Sequence, residues 1–451
     1  MSKSKTPVAD LIREYRDGGW LRLHMPGHKG EGDMEALDVT EIRGVGPLYP
    51  AEGVIRESEE LAAELFGAGR TVYSAEGSSL CIRAMLFLAK LRAERRGLPL
   101  RVLAGRNAHR TFHSALALLG MEAEWLPGES LLTCLPTGEA LTAALDRLEA
   151  PPAAVYLTSP DYLGNRADIR ALAGICRERE IPLLVDNAHG AYLRFLPEDQ
   201  HPLSLGADMT CDSAHKTLPV LTGGAYLQIH READPLFAAQ AERAMALFAS
   251  TSPSWLILQS LDRCNARLAE EFREELRAFV PKAAALRERL RAAGLHPQGD
   301  EPLKLTLAPK EYGYTGEELH ALLRRERIEC EFADPDFLVM MLSPETREEG
   351  LRRLESALRG IPRREPLKEL PPPLPRPERA MPVGEAMLAP AEEVPVERAL
   401  GRILADPCVS CPPAVPVAVS GERIGEDAIR CLAYYGIGMV QCVAEDNSGK
   451  K

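Results

Sequence analysis

The sequence predicts an α/β protein: a large domain on a mostly parallel sheet, a smaller α+β domain and a C-terminal module. Three observations carry this. The first half alternates short apolar runs with helix-period stretches, the rhythm of βαβ units covered on both faces. The 451 residues exceed what one hydrophobic core usually serves and suit two or three domains. Prolines cluster late, in IPRREPLKELPPPLPRPERAMP, and read as an extended linker before a final module.

Taken in order, the N-terminus leads into charged helix with no apolar h-region, so no secretory signal is expected. Helices are expected near 54–66 and 79–96, then a strand at 101–104 and a helix at 109–120. A strand at 122–126 and a helix at 138–149 follow, then strand 153–157, helix 168–179 and the short buried strand 182–185. Ala225 to Ile229 reads as a further strand. Residues 254–298 read as one long helix, kinked at Pro281, which lacks an amide donor. Strand 303–307, helix 316–326, strand 337–342 and helix 346–359 form the smaller unit. The expected division is an arm over 1–40, a large domain over 41–253, and the long helix with the small domain over 254–360. A linker over 361–394 and a module with its tail over 395–451 complete it.

Composition excludes some functions. Lys and Arg number 54 against 66 Asp and Glu, a formal charge of −12, where a nucleic-acid binder shows a basic stripe. No run of 18 or more apolar residues reads as a membrane span. Ten scattered cysteines, several within apolar stretches, fit a reducing cytoplasm. Cys408 and Cys411 form a CxxC that, with Cys431 and Cys442, offers four zinc-ligand side chains; the following Pro-Pro and the later spacing argue against a zinc site, and no metal is expected.

The chemistry gathers around TCDSAHKTLPVLTGGAYL (210–227), where Lys216 has no charged neighbour for several residues on its C-terminal side. Asp186 follows the apolar run IPLLV, so its carboxylate is partly buried and needs a cation: a structural arginine or a protonated ring nitrogen. Gly77, Ser78 and Ser79 open a helix, where amide donors and the helix dipole favour an anion; a plain serine N-cap is the alternative. His109 follows the strand RVLAG and is either a cap or a flat side chain over a ring. An amine, a buried acid, an anion cradle and a ring, all at carboxyl ends of strands, are what pyridoxal 5′-phosphate requires.

These residues lie in motifs that resemble the Orn/Lys/Arg decarboxylase family: HMPGHKG (24–30), PAEGVI (50–55), EGSS (76–79), RNAHRT (106–111), SPDYLG (159–164), VDNAHGAY (185–192), SAHKTL (213–218) and TSPSWLILQSLD (251–262). CPPAVPVAVSGERI (411–424) looks like that family's C-terminal Pro-Pro-Gly…Pro-Gly-Glu stretch. The resemblance implies fold type I, the aspartate-aminotransferase fold, and pyridoxal phosphate as cofactor. It implies decarboxylation of arginine, lysine or ornithine in polyamine-type metabolism. It makes Lys216 the Schiff-base lysine, Asp186 the partner of the pyridinium and His109 the stacking ring. Ser78, Ser79, Ser213 and His215 are assigned to the phosphate or ring, and His189 lies close beneath the cofactor. Thr251 and Ser252 reach a neighbouring subunit's phosphate, in a homodimer or dimer of dimers.

The sequence departs from that pattern at Asn187 (commonly glutamate), Gly223 (glutamine), Cys411 (tyrosine), Ala414 (glycine) and Ser420 (proline). These changes bear on which amino acid is used. A long basic substrate needs a distal anion, for which Glu41, Glu76, Asp161 and Glu422 are candidates, Glu422 foremost by its motif. His24, His28 and Lys29 in HMPGHKG are candidates for the substrate carboxylate, against a structural turn at Pro26-Gly27. Two other readings stand: an aminotransferase or lyase of the same fold, and a non-catalytic cofactor-binding protein. Against the first, Arg324, Arg325 and Arg327 sit on what reads as an exposed amphipathic helix.

Overall fold

A computed structural model describes residues 5–126, 134–410 and 415–445. In chain order its first half comprises α1 (Pro7–Asp17), α2 (Gly53–Phe66), β1 (Arg70–Ser74), α3 (Gly77–Arg96), β2 (Arg101–Gly105), α4 (Arg110–Leu119) and β3 (Glu122–Leu126). Then come α5 (Gly138–Asp146), β4 (Ala154–Thr158), α6 (Ile169–Glu178), β5 (Leu183–Asp186), β6 (Met209–Asp212), α7 (Ala214–Thr217) and β7 (Ala225–Ile229). The second half comprises α8 (Pro235–Phe248), α9 (Trp255–Glu270), α10 (Phe272–Ala292), β8 (Pro297–Gln298), β9 (Lys304–Leu307), α11 (Gly316–Arg325), β10 (Phe332–Ala333) and β11 (Leu338–Met341). It closes with α12 (Arg347–Gly360), α13 (Val383–Leu388), β12 (Ala391–Pro395), β13 (Cys408–Ser410), β14 (Val415–Ala418), α14 (Glu426–Tyr434) and β15 (Met439–Val443).

The chain divides into two compact units: Met1–Pro99 with Ala153–Ser159 and Ile169–Arg277, and Leu100–Pro152 with Pro160–Asp168 and Ala278–Lys451. In the first unit β4, β5 and β6 run parallel, and β7 and β1 add antiparallel strands beyond β6. Leu183 to Asp186 are all buried, as a strand covered on both faces demands. α3 is buried on several sides through Leu80, Ile82, Met85, Leu86 and Leu88, and packs against α8.

This arrangement brings five chain segments to one end of the sheet. The parallel strands β4, β5 and β6 end there. β7 is antiparallel to them and starts there, and the register Ser74↔Ala225 puts the exit of β1 at the same end. β1 is a strand that the sequence pattern did not single out; RTVYS is short and opens on an arginine.

In the second unit β2 pairs β3 in parallel. A four-stranded antiparallel sheet has the order β10-β11-β9-β8. β12 pairs with β15, and α14 packs its Ala428, Cys431 and Leu432 into a core with Val394, Val396, Leu404 and Val440. α13 lies against α4.

Two elements differ from the sequence-based expectation. The long helix is divided at Glu271, whose φ of −121° leaves the helical region, while Pro281 lies inside α10. Glu270 and Glu271 disfavour a helix C-terminus and favour the start of the next, through the helix dipole. The proline-rich stretch is anchored: Arg364 N–H donates to Tyr312 O at 3.1 Å and Leu367 N–H to Lys310 O at 2.9 Å. It also contains α13 and the start of β12.

Candidate active site

β1 leaves the sheet through a tight turn. Ser74 Oγ accepts from Glu76 N at 3.0 Å and donates to Gly77 O at 2.9 Å. Gly77 has φ +69°, a conformation that favours glycine, and α3 starts at once. The first-turn amides of a helix have no intrahelical acceptor, so Ser78 and Ser79 stand at an anion-favouring end. Ser213 Oγ donates to Ser78 Oγ at 2.8 Å, which joins the exit of β6 to this turn.

A second loop closes on it. Gly77 N–H donates to Gly223 O at 2.7 Å. Gly223 has φ +101°, and a Cβ there meets Ala75 O at 3.0 Å. The backbone at this position therefore favours glycine. His215 Nδ1 is 3.0 Å from Gly224 O and donates to it, since a carbonyl only accepts. Burial lowers the pKa of His215; the Gly224 bond opposes this, and Lys216 adds to it.

Asp186 ends β5 and is 2% exposed. Its Oδ1 accepts from Ala188 N at 3.1 Å and lies 3.4 Å from Cys211 Sγ, and its Oδ2 accepts from Tyr156 OH at 3.3 Å. Burial, then the charge of Asp186, pushes the Tyr156 phenol and the Cys211 thiol well up, so both remain protonated donors. Among the described residues no Lys, Arg or His is hydrogen-bonded to this carboxylate; its partners are neutral. A buried carboxylate so placed suits a cationic ligand atom, such as a protonated ring nitrogen.

Lys216, in α7, is exposed on its own unit, and its Nζ lies 3.3 Å from His189 Nε2. His189 itself is 6% exposed. Asn187 takes the other direction. Its Nδ2 donates to Asp212 Oδ1 at 2.5 Å, where His201 Nε2 also donates at 3.0 Å. His201 Nδ1 accepts the Leu203 N–H at 3.2 Å, which leaves the ring proton on Nε2. Asp186 pairs with Cys211 and Asn187 with Asp212; successive residues face opposite sides of a sheet, so Asn187 turns away from Asp186. A glutamate here faces a buried carboxylate, whereas an amide donates to it.

The remaining candidates have local partners. Glu76 Oε1 accepts from Ser250 N at 2.7 Å, which ties the loop bearing the exposed Thr251 and Ser252 to the start of α3. His28 Nε2 lies 3.3 Å from Asp38 Oδ2, and its Nδ1 accepts the Gly30 N–H at 3.0 Å. Glu41 is exposed. Asp161, in the second unit, accepts from Asn165 N and Nδ2, each at 2.8 Å; burial raises its pKa and these bonds oppose the rise.

His109 also belongs to the second unit, where it is the N-cap of α4: its Nδ1 accepts the Thr111 N–H at 3.3 Å. Glu422 is held by Arg106 through two bonds of 2.8 Å, and its Oε2 also accepts the Val419 N–H at 2.9 Å. Sequence reasoning passed over Arg106, Tyr156 and Asp212. Arg106 and Asp212 lie in the stretches RNAHRT and TCDSAHKTL without a role of their own, and Tyr156 is a polar-tipped ring within the aliphatic strand AVYLT. Among the described residues no group of three His, Cys, Asp or Glu is placed to hold a metal ion. Cys411 and Ala414 lie outside the described residues, as does any zinc reading that needs Cys411.

Comparison with known proteins gives consistent matches. Residues 6–298 match the family model for the Orn/Lys/Arg decarboxylase major domain, and residues 365–441 match that for the C-terminal domain. The arginine decarboxylase of Halalkalibacterium halodurans is 28% identical over 94% of this chain and 92% of its own length. The arginine decarboxylase of Bacillus subtilis is 27% identical over 95% and 93%. Among solved structures, the lysine decarboxylase of Francisella novicida superposes with a TM-score of 0.78 at 15% identity, over 97% of this chain and 81% of that one. That last likeness is one of fold.

Proposed function

Because the chain belongs to the Orn/Lys/Arg decarboxylase family, pyridoxal-phosphate enzymes that act on basic amino acids, we propose that Lys216 and Asp186 carry its decarboxylation chemistry and that arginine is its substrate. The observation that supports the site most strongly is Asp186, a buried carboxylate hydrogen-bonded, among the described residues, to neutral groups at the end of the strand beside the one that leads to Lys216.

Pyridoxal phosphate, when bound, supplies an electron sink for the bond between the α-carbon and its carboxylate. In this reading the Lys216 amine would hold the cofactor aldehyde. Asp186 keeps the ring nitrogen protonated, and Tyr156, Cys211 and Ala188 N–H hold that carboxylate in place. Ser78, Ser79, Ser213 and His215 receive the phosphate at the start of α3, with Gly77 allowing the close turn. His109, on the second unit, has its ring plane set by the N-cap bond to Thr111. The relatives named arginine decarboxylase favour arginine over lysine or ornithine.

A second copy of the chain completes the assembly in this proposal, as a homodimer or dimer of dimers. Trp20, Leu21, Leu23 and Met25 are 66%, 82%, 83% and 72% exposed, a row of apolar side chains on the N-terminal arm. Thr251 and Ser252, exposed and tethered beside α3, would serve a neighbouring subunit's phosphate in this reading. No helix of the described residues is long and apolar enough to cross a membrane, and a cytoplasmic site is proposed, since no disulfide forms among the described cysteines.

The test is direct. Purified protein with added pyridoxal phosphate is given carboxyl-labelled arginine, lysine and ornithine, and carbon dioxide and amine are measured. One carbon dioxide per amine, fastest with arginine, is expected. Keto acid without carbon dioxide points instead to the aminotransferase reading.

A further inference from the structure

We propose that His189 is the base that takes a proton from the Lys216 ammonium, so that the amine can attack, and returns it when the lysine is displaced. This deepens the reading of Lys216 as the cofactor lysine and rests on it. Lys216 Nζ and His189 Nε2 are 27 residues apart in sequence and 3.3 Å apart in space. An ammonium has three N–H groups and no lone pair, so at this contact the lysine donates and the Nε2 lone pair accepts. The imidazole facing Lys216 is, in this proposal, the neutral form with its proton on Nδ1.

The step balances within the protein. The N–H bond on Nζ breaks, its electron pair remains on nitrogen as the nucleophilic lone pair, and the proton forms a new N–H bond at Nε2. The positive charge moves from amine to imidazole, and no further reactant is required. The reverse transfer follows when an incoming amine takes the place of Lys216.

The fold holds the pair in register. β5 and β6 are neighbouring parallel strands with Asp186 opposite Cys211, so the loops that follow leave the sheet side by side. Asn187 N–H donates to Cys211 O at 3.0 Å and Gly190 N–H to Asn187 O at 2.9 Å, a turn that presents His189. Other titratable groups on these elements are committed elsewhere. Asp186 is bonded to Tyr156, Cys211 and Ala188 N–H, Asp212 to Asn187 and His201, and His215 to Gly224 O.

The experiment follows attachment of the cofactor to apoenzyme, before any turnover. Wild type, His189→Gln and His189→Asn are mixed with pyridoxal phosphate, and the visible absorbance of the lysine-linked cofactor is followed across the neutral to alkaline range. His189→Gln is expected to slow attachment by about 10²-fold at neutral pH, the lower end of what a positioned base contributes. The deficit shrinks toward alkaline pH, where hydroxide takes the proton in place of the imidazole, and the final extent of attachment is unchanged. His189→Asn repeats the measurement should the glutamine variant not fold. A wild-type rate and pH profile in the folded variant overturns the proposal. Borohydride trapping and peptide mapping separate the two layers: no adduct at Lys216 in the wild type removes the parent reading, whereas an adduct formed with unaltered kinetics in the variant removes only the role of His189.

Discussion

Arg106 grips Glu422 fork to fork, Nη1 to Oε1 and Nη2 to Oε2 at 2.8 Å each, with both side chains largely buried at 13% and 6% exposure. The pair joins the C-terminal module to the loop that carries His109. A carboxylate so matched is a structural partner first, which changes the weight of Glu422 as a distal anion for substrate.

Breaking this pair from one side leaves a buried guanidinium uncompensated. Glu422→Gln is expected to lose about 3 kcal/mol, while removal of both charges in Arg106→Met with Glu422→Gln recovers most of it. Chemical unfolding of the single and double variants measures this; equal losses in both count against the coupling.

Asp186→Asn keeps the size of the side chain and removes its charge. Carbon dioxide release is expected to fall by about 10²–10³-fold, the scale of losing one preorganised electrostatic partner. Thermal unfolding of the apoenzyme is expected to hold or improve, because a buried charge with neutral partners is exchanged for an amide. A fully active variant removes Asp186 from the site.

Gly223→Gln restores the residue common in the family yet is expected to harm this chain. A φ of +101° strains any other residue, and the new Cβ meets Ala75 O at 3.0 Å. A loss of about 1–3 kcal/mol and weaker binding of inorganic phosphate are expected. Calorimetry on the apoenzyme reads both quantities.

His113 lies fully buried beside Trp125, and burial first, then the charges of Arg106 and His109, lowers its pKa to about 3. The unfolded chain binds a proton near 6.5 that the folded chain refuses until about 3. The unfolded state thus holds more protons in that window, and stability falls as the pH drops through it, at up to about 1.4 kcal/mol per pH unit. His113→Phe removes this contribution and flattens the acid limb of a melting-temperature profile by that amount; an unchanged slope contradicts the assignment.

Much of the candidate site was legible because its chemistry is local. An apolar run ending in Asp186, a serine pair opening a helix and a lone lysine before a glycine turn each declare a strand end or a helix start. The departures were legible as differences but not as causes. In the sequence Asn187 and Gly223 are departures that bear on the substrate; in the structure the Asn187 amide lies on Asp212 and Gly223 has a φ of +101°. The break at Glu271 was missed because proline is a louder signal than a pair of acids that one helix dipole disfavours and the next one favours.

The sequence by itself determined the alternation of elements, the family resemblance and the residue types at each strand end, since propensity and hydrophobic period act over a few residues. Only the tertiary structure decided the partners: Lys216 with His189, Ser78 with Ser213 across 135 residues, and Arg106 with Glu422 across 316. The physical reason is that strand order sets which loops leave the sheet together, and a hydrogen bond depends on separation in space, which spacing along the chain does not encode.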